Sequence, residues 1–388
     1  MNLCPDVADT NPAKTAPDDC LFAFHGPRSA LAAHGPAHML PRGPVATLED
    51  RLAGAPAGVV VGGALPFDRA GDDCLWLTRT RDATLPAQVP PLPPIRSLRP
   101  EPEAADFAAA VARALRIMEG EAGSPDALAK IVLSRALAIE AETPIPIASV
   151  MARLGRDPHV TTFRTRLPDG PGHALIGASP ELLLRKTGAR IDSHPLAGSA
   201  PRSTDALTDH GNAEALAHSD KDRREHAFVV EYILDTLAPF CTELDRPQGT
   251  VLTHTGSMWH LGTRITGRLR DDTIPAILLA ARLHPTPAVC GTPPARAAEL
   301  IGQLEPHSRG FYAGAVGWSD AQGDGAWFVA IRSAEICGTR ARLHAGAGVV
   351  LGSDPMAEAA ETGAKFGALL SALGLPREAG MIGVTPAR

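Results

Sequence analysis

The residue pattern predicts a mixed α/β fold, and three observations carry that prediction. Apolar residues make up 44% of the chain and charged residues 21%, the balance of a soluble globular protein. Lys130-Ile131-Val132-Leu133-Ser134-Arg135-Ala136-Leu137 is a near-continuous apolar run, the pattern of a strand buried on both faces. Helix-period segments alternate with such runs, and the chain of 388 residues is long enough for one large domain or two ordinary ones.

In chain order, residues 1 to about 45 are rich in Pro, Ala, Gly and His and read as partly irregular. Strand patterns follow at Gly58–Leu65 and Cys74–Thr78. Residues 85–102 hold seven prolines and predict an extended connection across one domain's surface, with a domain linker as the alternative. A helix is expected from about Glu103 to Gly120, then the Lys130 strand, a short helix near Ile145–Leu154 and a strand at Val160–Arg166. The segments HALIGASPELLLRK and ARIDSHPLAGSAPR read as a hairpin turning at Thr187-Gly188. Ser179-Pro180-Glu181 marks a strand start. The small residues of Pro195-Leu196-Ala197-Gly198-Ser199 suggest that another group approaches closely.

A long helix is predicted from about Asn212 to Pro239, with Val229, Tyr232, Ile233 and Leu237 as its apolar stripe. Counting back along that stripe reaches Glu225 and then Asp222, so two acids face the core, where a carboxylate needs a cation or donors. The alternative is a solvated cluster within KDRREH. Strands at Val251–Thr253 and Trp259–Gly267 and helices at Ile274–Arg282 and Ala295–Gln303 follow. Between those helices, His284-Pro285-Thr286-Pro287-Ala288-Val289-Cys290-Gly291 predicts a stiff irregular loop suited to lining a site.

The stretch Glu305–Phe366 concentrates the chemistry. Two apolar strand patterns, one of them Phe328–Arg332 with its lone arginine, lead to a Gly346-Ala347-Gly348 turn and a helix capped at Ser353-Asp354-Pro355. That helix sets Glu358, Glu361 and Lys365 on one face. An ordinary exposed i, i+4 pair would look the same, but the arginine, the glycines and the stacked acids together suggest a carboxylate ligand and a divalent cation.

Composition narrows the class. The net charge of −6 and the absence of a basic stripe argue against nucleic acid. No run approaches the length of a membrane span, and the polar N-terminus has no secretory apolar core, so a cytoplasmic protein is expected. Cysteines 4, 20, 74, 241, 290 and 337 are scattered without a CxxC and read as free thiols. Of 37 basic residues only five are lysine, at 14, 130, 186, 221 and 365. Where arginine serves as the default cation, a retained lysine is informative, because lysine can lose its proton near neutral pH. Lys130, at the mouth of its strand, is either such a group or a cation snorkelling from a strand end.

These motifs together resemble the chorismate-utilising enzymes: isochorismate synthases, salicylate synthases, and the large subunits of anthranilate and aminodeoxychorismate synthases. The resemblance runs from about Lys130 to Leu373 and rests on KIVLSR, GASPELLLR, PLAGSAPR, KDRREH, FYAGAVGW, AIRSAEI, AGAGVVLGSDP and ETGAK in order. Within the family, HPTPAVCG is similar to the isochorismate synthase signature. The amine-adding members' Gly-Thr/Ser-x-Ser/Thr-Gly-Ala-Pro-Lys and Asp-Leu-x-Arg-Asn-Asp segments are absent. The resemblance implies a single α/β domain of layered antiparallel sheets with outer helices, residues 1–100 forming its N-terminal part and 101–388 the chorismate-binding catalytic region.

It also implies a reaction: water adds at C2 of chorismate while the C4 hydroxyl leaves, with Mg²⁺ as cofactor. By resemblance Lys130 is the base, with a pKa lowered by desolvation, and Glu181 the acid, with a raised one. Glu225 and Glu361 are the metal ligands, supported by Glu358 and Asp222. Tyr312 and Arg332, with the N–H groups of Gly346 and Gly348, hold the enolpyruvyl carboxylate. Lys365 balances the acidic site. Gly198, Ser199, His260, Ala288 and Val289 lie along the ring. A small-molecule substrate and a monomer, or at most a weak dimer, are expected. A salicylate synthase, an enzyme of the menaquinone pathway, an amine-adding subunit and a non-enzymic chorismate binder are the competing readings, and the form KDRREH…VVEYILDTLAPFC favours a siderophore-pathway isochorismate synthase.

Overall fold

Strand pairing is antiparallel throughout the described residues, and it builds three sheets. The computed structural model describes residues 3, 20–27, 29–35, 38–79, 81–82, 89–168 and 172–384. A 10-stranded sheet runs in the order Gly291–Thr292, Lys130–Ala141, Arg340–Val349, Ser333–Cys337, His173–Ser179, Thr161–Arg166, Cys20–Gly26, Ser29–His34 and Arg81–Asp82, with Ile95–Glu101 also paired to Lys130–Ala141. A 9-stranded sheet runs Cys241–Asp245, Ile265–Leu269, Arg190–His194, Leu182–Thr187, Gly325–Val329, Ala315–Ser319, Val60–Leu65, Cys74–Thr78 and His38–Met39. Leu196–Pro201, Met258–Thr263 and Thr250–His254 form the third. The fold is a mixed α/β domain of layered antiparallel sheets with helices outside.

The packing explains the layering. Phe22, Phe24 and Phe163 of the first sheet meet Val60, Val316 and Phe328 of the second in one buried cluster. On the outer face of the first sheet, Leu137, Ile139 and Leu343 pack against Phe366, Leu369 and Leu370 of the helix Pro355–Ala372. Outside the second, Leu184, Ile191 and Trp327 share a core with Val229 and Ile233 of the helix Asp220–Leu237 and with the helix Ala276–Leu283. Burial of such side chains stabilises each by about 1.5–3 kcal/mol.

Several boundaries differ from the sequence expectation, each for a local reason. The helix expected over Asn212–Pro239 is two, Ala206–His218 and Asp220–Leu237, because the Ser219 side chain accepts the Asp222 N–H and starts a new helix. The hairpin at Thr187-Gly188 is real but short. Leu182–Thr187 pairs with Arg190–His194, while the residues on either side, His173–Ser179 and Leu196–Pro201, belong to the other two sheets. The run Trp259–Gly267 likewise splits at Arg264 between two sheets. Part of the proline-rich connection is a strand, Ile95–Glu101. The Gly346-Ala347-Gly348 segment is not a turn but the end of the strand Arg340–Val349. The strand expected over Phe328–Arg332 stops at Val329. Cys20, Cys74, Cys241 and Cys290 are thiols outside any disulfide, as expected, and all four are buried. Cys337 corrects the free-thiol reading, since it is disulfide-bonded; pairing depends on Cα and Cβ geometry that spacing along the chain does not reveal. The expectations for Cys4 and Lys14 lie outside the described residues.

Candidate active site

Two crossings between sheets create the site. The chain leaves the first sheet at Ser179 and enters the second at Leu182, and it returns between Val329 and Ser333. The crossings are bonded to each other: the Val329 N–H donates to Glu181 O at 3.2 Å, Ser179 Oγ to Val329 O at 2.7 Å, and the Ala178 N–H to Arg332 O at 3.1 Å. Glu181 and Arg332 are therefore held as neighbours although 150 residues separate them. The return bend puts Arg332 at φ 51°, a left-handed conformation that costs a non-glycine residue roughly 1–3 kcal/mol and gathers at functional sites.

Around these crossings lies a cavity of about 60 Å³. Glu181, Gly198, Ser199, Glu225, His260, Ala288, Val289, Tyr312, Arg332, Gly346, Gly348, Glu361 and Lys365 all line it. Every site residue expected from the sequence is on that wall except Lys130, Asp222 and Glu358, which stand behind it. Lys130 is fully buried, with Nζ 3.0 Å from Glu225 Oε1 and no well-aligned hydrogen bond. It does not snorkel to solvent. Asp222 packs against Gly198, where an added Cβ would meet Asp222 Cβ at 2.9 Å and φ is +71°. Glu225 lies flat on Gly348, where a Cβ would meet Oε1 at 2.1 Å. Only glycine at 348 leaves that carboxylate its place.

Charge in the site is paired carboxylate by carboxylate. Glu361 Oε1 takes Lys365 Nζ at 2.5 Å and Ser199 Oγ at 2.8 Å, and Lys365 also donates to Gly346 O at 2.9 Å. Glu358 takes Lys221 Nζ at 2.5 Å. Burial would raise the Glu361 carboxyl, but Lys365 and Ser199 hold it below the usual range. Burial and the Glu361 charge push Glu358 up to about 7 against the pull of Lys221. Burial pushes Glu181 up to about 8, against a Leu196 backbone bond and the charges of Lys130, Arg332 and Lys365. Glu181 therefore carries a proton at neutral pH and can donate it.

Two groups face the cavity with unused capacity. Among the described residues no hydrogen bond or ion pair engages the Arg332 guanidinium, and His260 Nε2 is buried without a partner. Burial and the charges of Arg332 and Lys365 push the His260 ring down to about 3, so it is neutral. Its Nδ1 lies 3.4 Å from Gly198 O, an acceptor, which leaves Nε2 as a bare acceptor. Tyr312 stacks on His344 at 4.8 Å. In the strand Lys130–Ala141 the Val132 N–H donates to Cys290 O and the Ser134 N–H to Glu305 Oε1. Their register partners Gly348 and Gly346 thus occupy non-hydrogen-bonded positions, and their own N–H groups point away from that strand.

Sequence reasoning missed three contributors. Arg309 is buried and ties Val289 O at 2.7 Å, Val132 O at 2.6 Å and Glu305 Oε1 at 2.5 Å into one wall. His344 orients Tyr312, and Lys221 neutralises Glu358. Lysine scarcity is the signal that could have found Lys221. The same scarcity singles out Lys186, which is structural: its Nζ holds Asp324 at 2.8 Å, and neither residue lines the cavity.

The acids suit a hard divalent cation. Glu225 and Glu361 are oxygen donors on the cavity wall, Asp222 and Glu358 reinforce their negative field, and Glu358 Oε2 is buried with no well-formed hydrogen bond, the Ser353 hydroxyl touching the carboxyl only loosely. No three acidic or histidine groups are gathered as a ready cage among the described residues. Mg²⁺ does not need one, because it usually keeps several waters and takes one or two carboxylates plus substrate oxygens.

Comparison with known proteins gives a consistent picture. The family model for chorismate binding enzymes matches residues 76–374. A Mycobacterium tuberculosis protein that carries the name MenF is 42% identical over 91% of this chain and 96% of its own length. Isochorismate synthase DhbC of Bacillus subtilis is 44% identical over 72% and 70%. The crystal structure of DhbC from Bacillus anthracis superposes with a TM-score of 0.81 at 38% identity, covering 92% of this chain and 97% of that one.

Proposed function

The chain belongs to the chorismate binding enzyme family, and from that premise we propose that it is an isochorismate synthase, an isomerase that adds water at C2 of chorismate as the C4 hydroxyl leaves. One observation carries the reading: the cavity pairs a carboxylic acid that is neutral at pH 7, Glu181, with an unengaged guanidinium, Arg332. The leaving hydroxyl needs a proton donor, and the substrate's carboxylates need a fixed cation.

In this mechanism Glu181 protonates the departing C4 oxygen, and Lys130, acting as the neutral amine, takes the proton of the attacking water. Arg332 grips the enolpyruvyl carboxylate in two places, aided by Tyr312 and the Gly346 and Gly348 N–H groups. Gly198, Ala288, Val289 and His260 confine the ring, Ser199 fixes Glu361, and Lys365 offsets the acids. Mg²⁺ is the proposed cofactor; held by Glu225 and Glu361, it would supply Lewis-acid stabilisation and a template for the ring carboxylate. Incubation with chorismate and Mg²⁺, followed by chromatographic identification, tests the whole reading. Isochorismate alone is expected, whereas salicylate with pyruvate, or no turnover at all, refutes it.

For the pathway we propose 2,3-dihydroxybenzoate siderophore biosynthesis in the cytoplasm. The KDRREH…VVEYILDTLAPFC form supports it, as does the similarity to the Bacillus anthracis DhbC, which is named as 2,3-dihydroxybenzoate-specific. The second reading is a menaquinone role, since one relative carries the name MenF, which the menaquinone-specific enzyme of Escherichia coli also bears. A deletion strain rescued by 2,3-dihydroxybenzoate favours the first; one that lacks menaquinone favours the second.

Two further results are expected. Arg332→Ala removes a charge-assisted, bidentate contact worth about 1.5–3 kcal/mol, so KM for chorismate should rise about 10- to 150-fold. Unchanged steady-state constants take Arg332 out of the site. Glu181→Gln should also change stability in a pH-dependent way. The native carboxyl holds its proton up to about 8, whereas an unfolded glutamate releases it near ~4.3. The stability Glu181 contributes is therefore full below the unfolded value, declines as pH rises, and is gone once pH passes the folded value. In metal-free protein, Glu181→Gln should raise Tm relative to the parent increasingly between these limits. A Tm difference that stays flat with pH shows that Glu181 is not a buried neutral acid.

A further inference from the structure

Three of the chain's five lysines each hold one of the acids assigned to the cation: Lys130 on Glu225 at 3.0 Å, Lys365 on Glu361 at 2.5 Å and Lys221 on Glu358 at 2.5 Å. They differ in freedom. The Lys130 side chain is 0% exposed and that of Lys365 14%, whereas that of Lys221 is 34% exposed. Lys365 is also fixed by Gly346 O, but Glu358 is the only hydrogen-bond partner of the Lys221 ammonium among the described residues. Lys221 further occupies the first turn of the helix Asp220–Leu237, where the macrodipole disfavours a positive charge. The chain thus keeps a rare lysine at a position its backbone opposes, and directs it at an acid that is 1% exposed and whose second oxygen has no well-formed bond.

We propose that Lys221 is a built-in cation that occupies Glu358 until a divalent ion arrives, and so sets the affinity of metal binding. The proposal rests on the reading of Glu225 and Glu361 as ligands of Mg²⁺. Glu358 is needed near the ion to strengthen the negative field, yet a carboxylate left alone in that buried corner is costly. The Lys221 ammonium removes that cost in the metal-free protein. When the ion enters, Lys221, being half-buried, can swing to solvent, while Lys130 and Lys365 have no such exit. The apparent metal affinity is the intrinsic one multiplied by the fraction of molecules in which Glu358 is free of Lys221.

Binding of Mn²⁺, followed by electron paramagnetic resonance of free ion and by metal-induced change in Tm, tests this without turnover. Lys221→Met should bind Mn²⁺ at least ~5-fold more tightly than the parent, because the competing cation is gone. Its metal-free Tm should fall and its metal-induced rise in Tm should be larger. Lys221→Gln, which keeps a donor without the charge, should also bind more tightly, and serves if the Met variant does not fold. Lys221→Arg should behave as the parent. A parent that binds Mn²⁺ while both neutral variants bind equally or more weakly overturns the role of Lys221 alone. A parent that binds no Mn²⁺ overturns the metal reading and this proposal with it.

Discussion

Lys130→Arg should lower kcat by about 10²–10⁴, the contribution of a positioned general base, while chorismate still binds within a few-fold of the parent. The substitution separates charge from proton transfer. Arginine preserves the positive charge beside Glu225 but does not give up its proton near neutral pH. Lys130 is fully buried, so the larger guanidinium has to be accommodated by local adjustment. A cooperative melt near the parental Tm would show that overpacking is not the cause of any loss. Single-turnover rates and equilibrium binding of chorismate separate the two effects. If the Arg variant turns over chorismate within a few-fold of the parent, Lys130 is a structural cation and the base lies elsewhere.

Much of the site was legible because local patterns state their own requirements. The stripe Val229-Ile233-Leu237, extended backwards, put Glu225 toward the core, and it is 8% exposed there. The Ser353-Asp354-Pro355 signal is a true cap, with Asp354 Oδ1 accepting the Ala357 N–H at 2.7 Å. The Glu361–Lys365 pair exists as helix spacing predicts, but it faces the cavity instead of solvent. The motif resemblance anticipated the family and the layered antiparallel fold.

What escaped was non-local. Apolar runs such as Trp259–Gly267 do not announce that half of a strand pairs in one sheet and half in another, because period-2 alternation fixes a face and not a partner. The same limit hid the bend at Arg332. An arginine in an apolar run reads as part of the strand, and only the sheet crossing reveals the positive φ. Arg309 was missed because its acceptors, the carbonyls of Val132 and Val289, are backbone atoms that carry no sequence signature. The disulfide at Cys337 was missed for a similar reason, spatial proximity without sequence spacing.

Glu225→Gln and Glu361→Gln should each reduce kcat/KM by more than the ~10–100-fold that losing an outer-shell partner of a metal costs. They should do so for partly different reasons. Glu361 is held by Lys365 and Ser199, so its loss removes one anionic donor and leaves the base untouched. Raising Mg²⁺ should then restore part of the activity by mass action, because weaker binding is the whole defect. Glu225 has two tasks. It is the other donor on the cavity wall, and it is also the acid 3.0 Å from Lys130 Nζ. Glutamine there keeps an acceptor but not the charge that holds the ammonium, so saturating Mg²⁺ should restore the Glu225 variant less than the Glu361 variant. Equal restoration of both would mean that Glu225 acts only on the cation and that its contact with Lys130 is incidental. Near-parental activity of either variant at sub-millimolar Mg²⁺ would show instead that the carboxylate is not a ligand, and the cation, if one is used, must be held by other oxygens of the site.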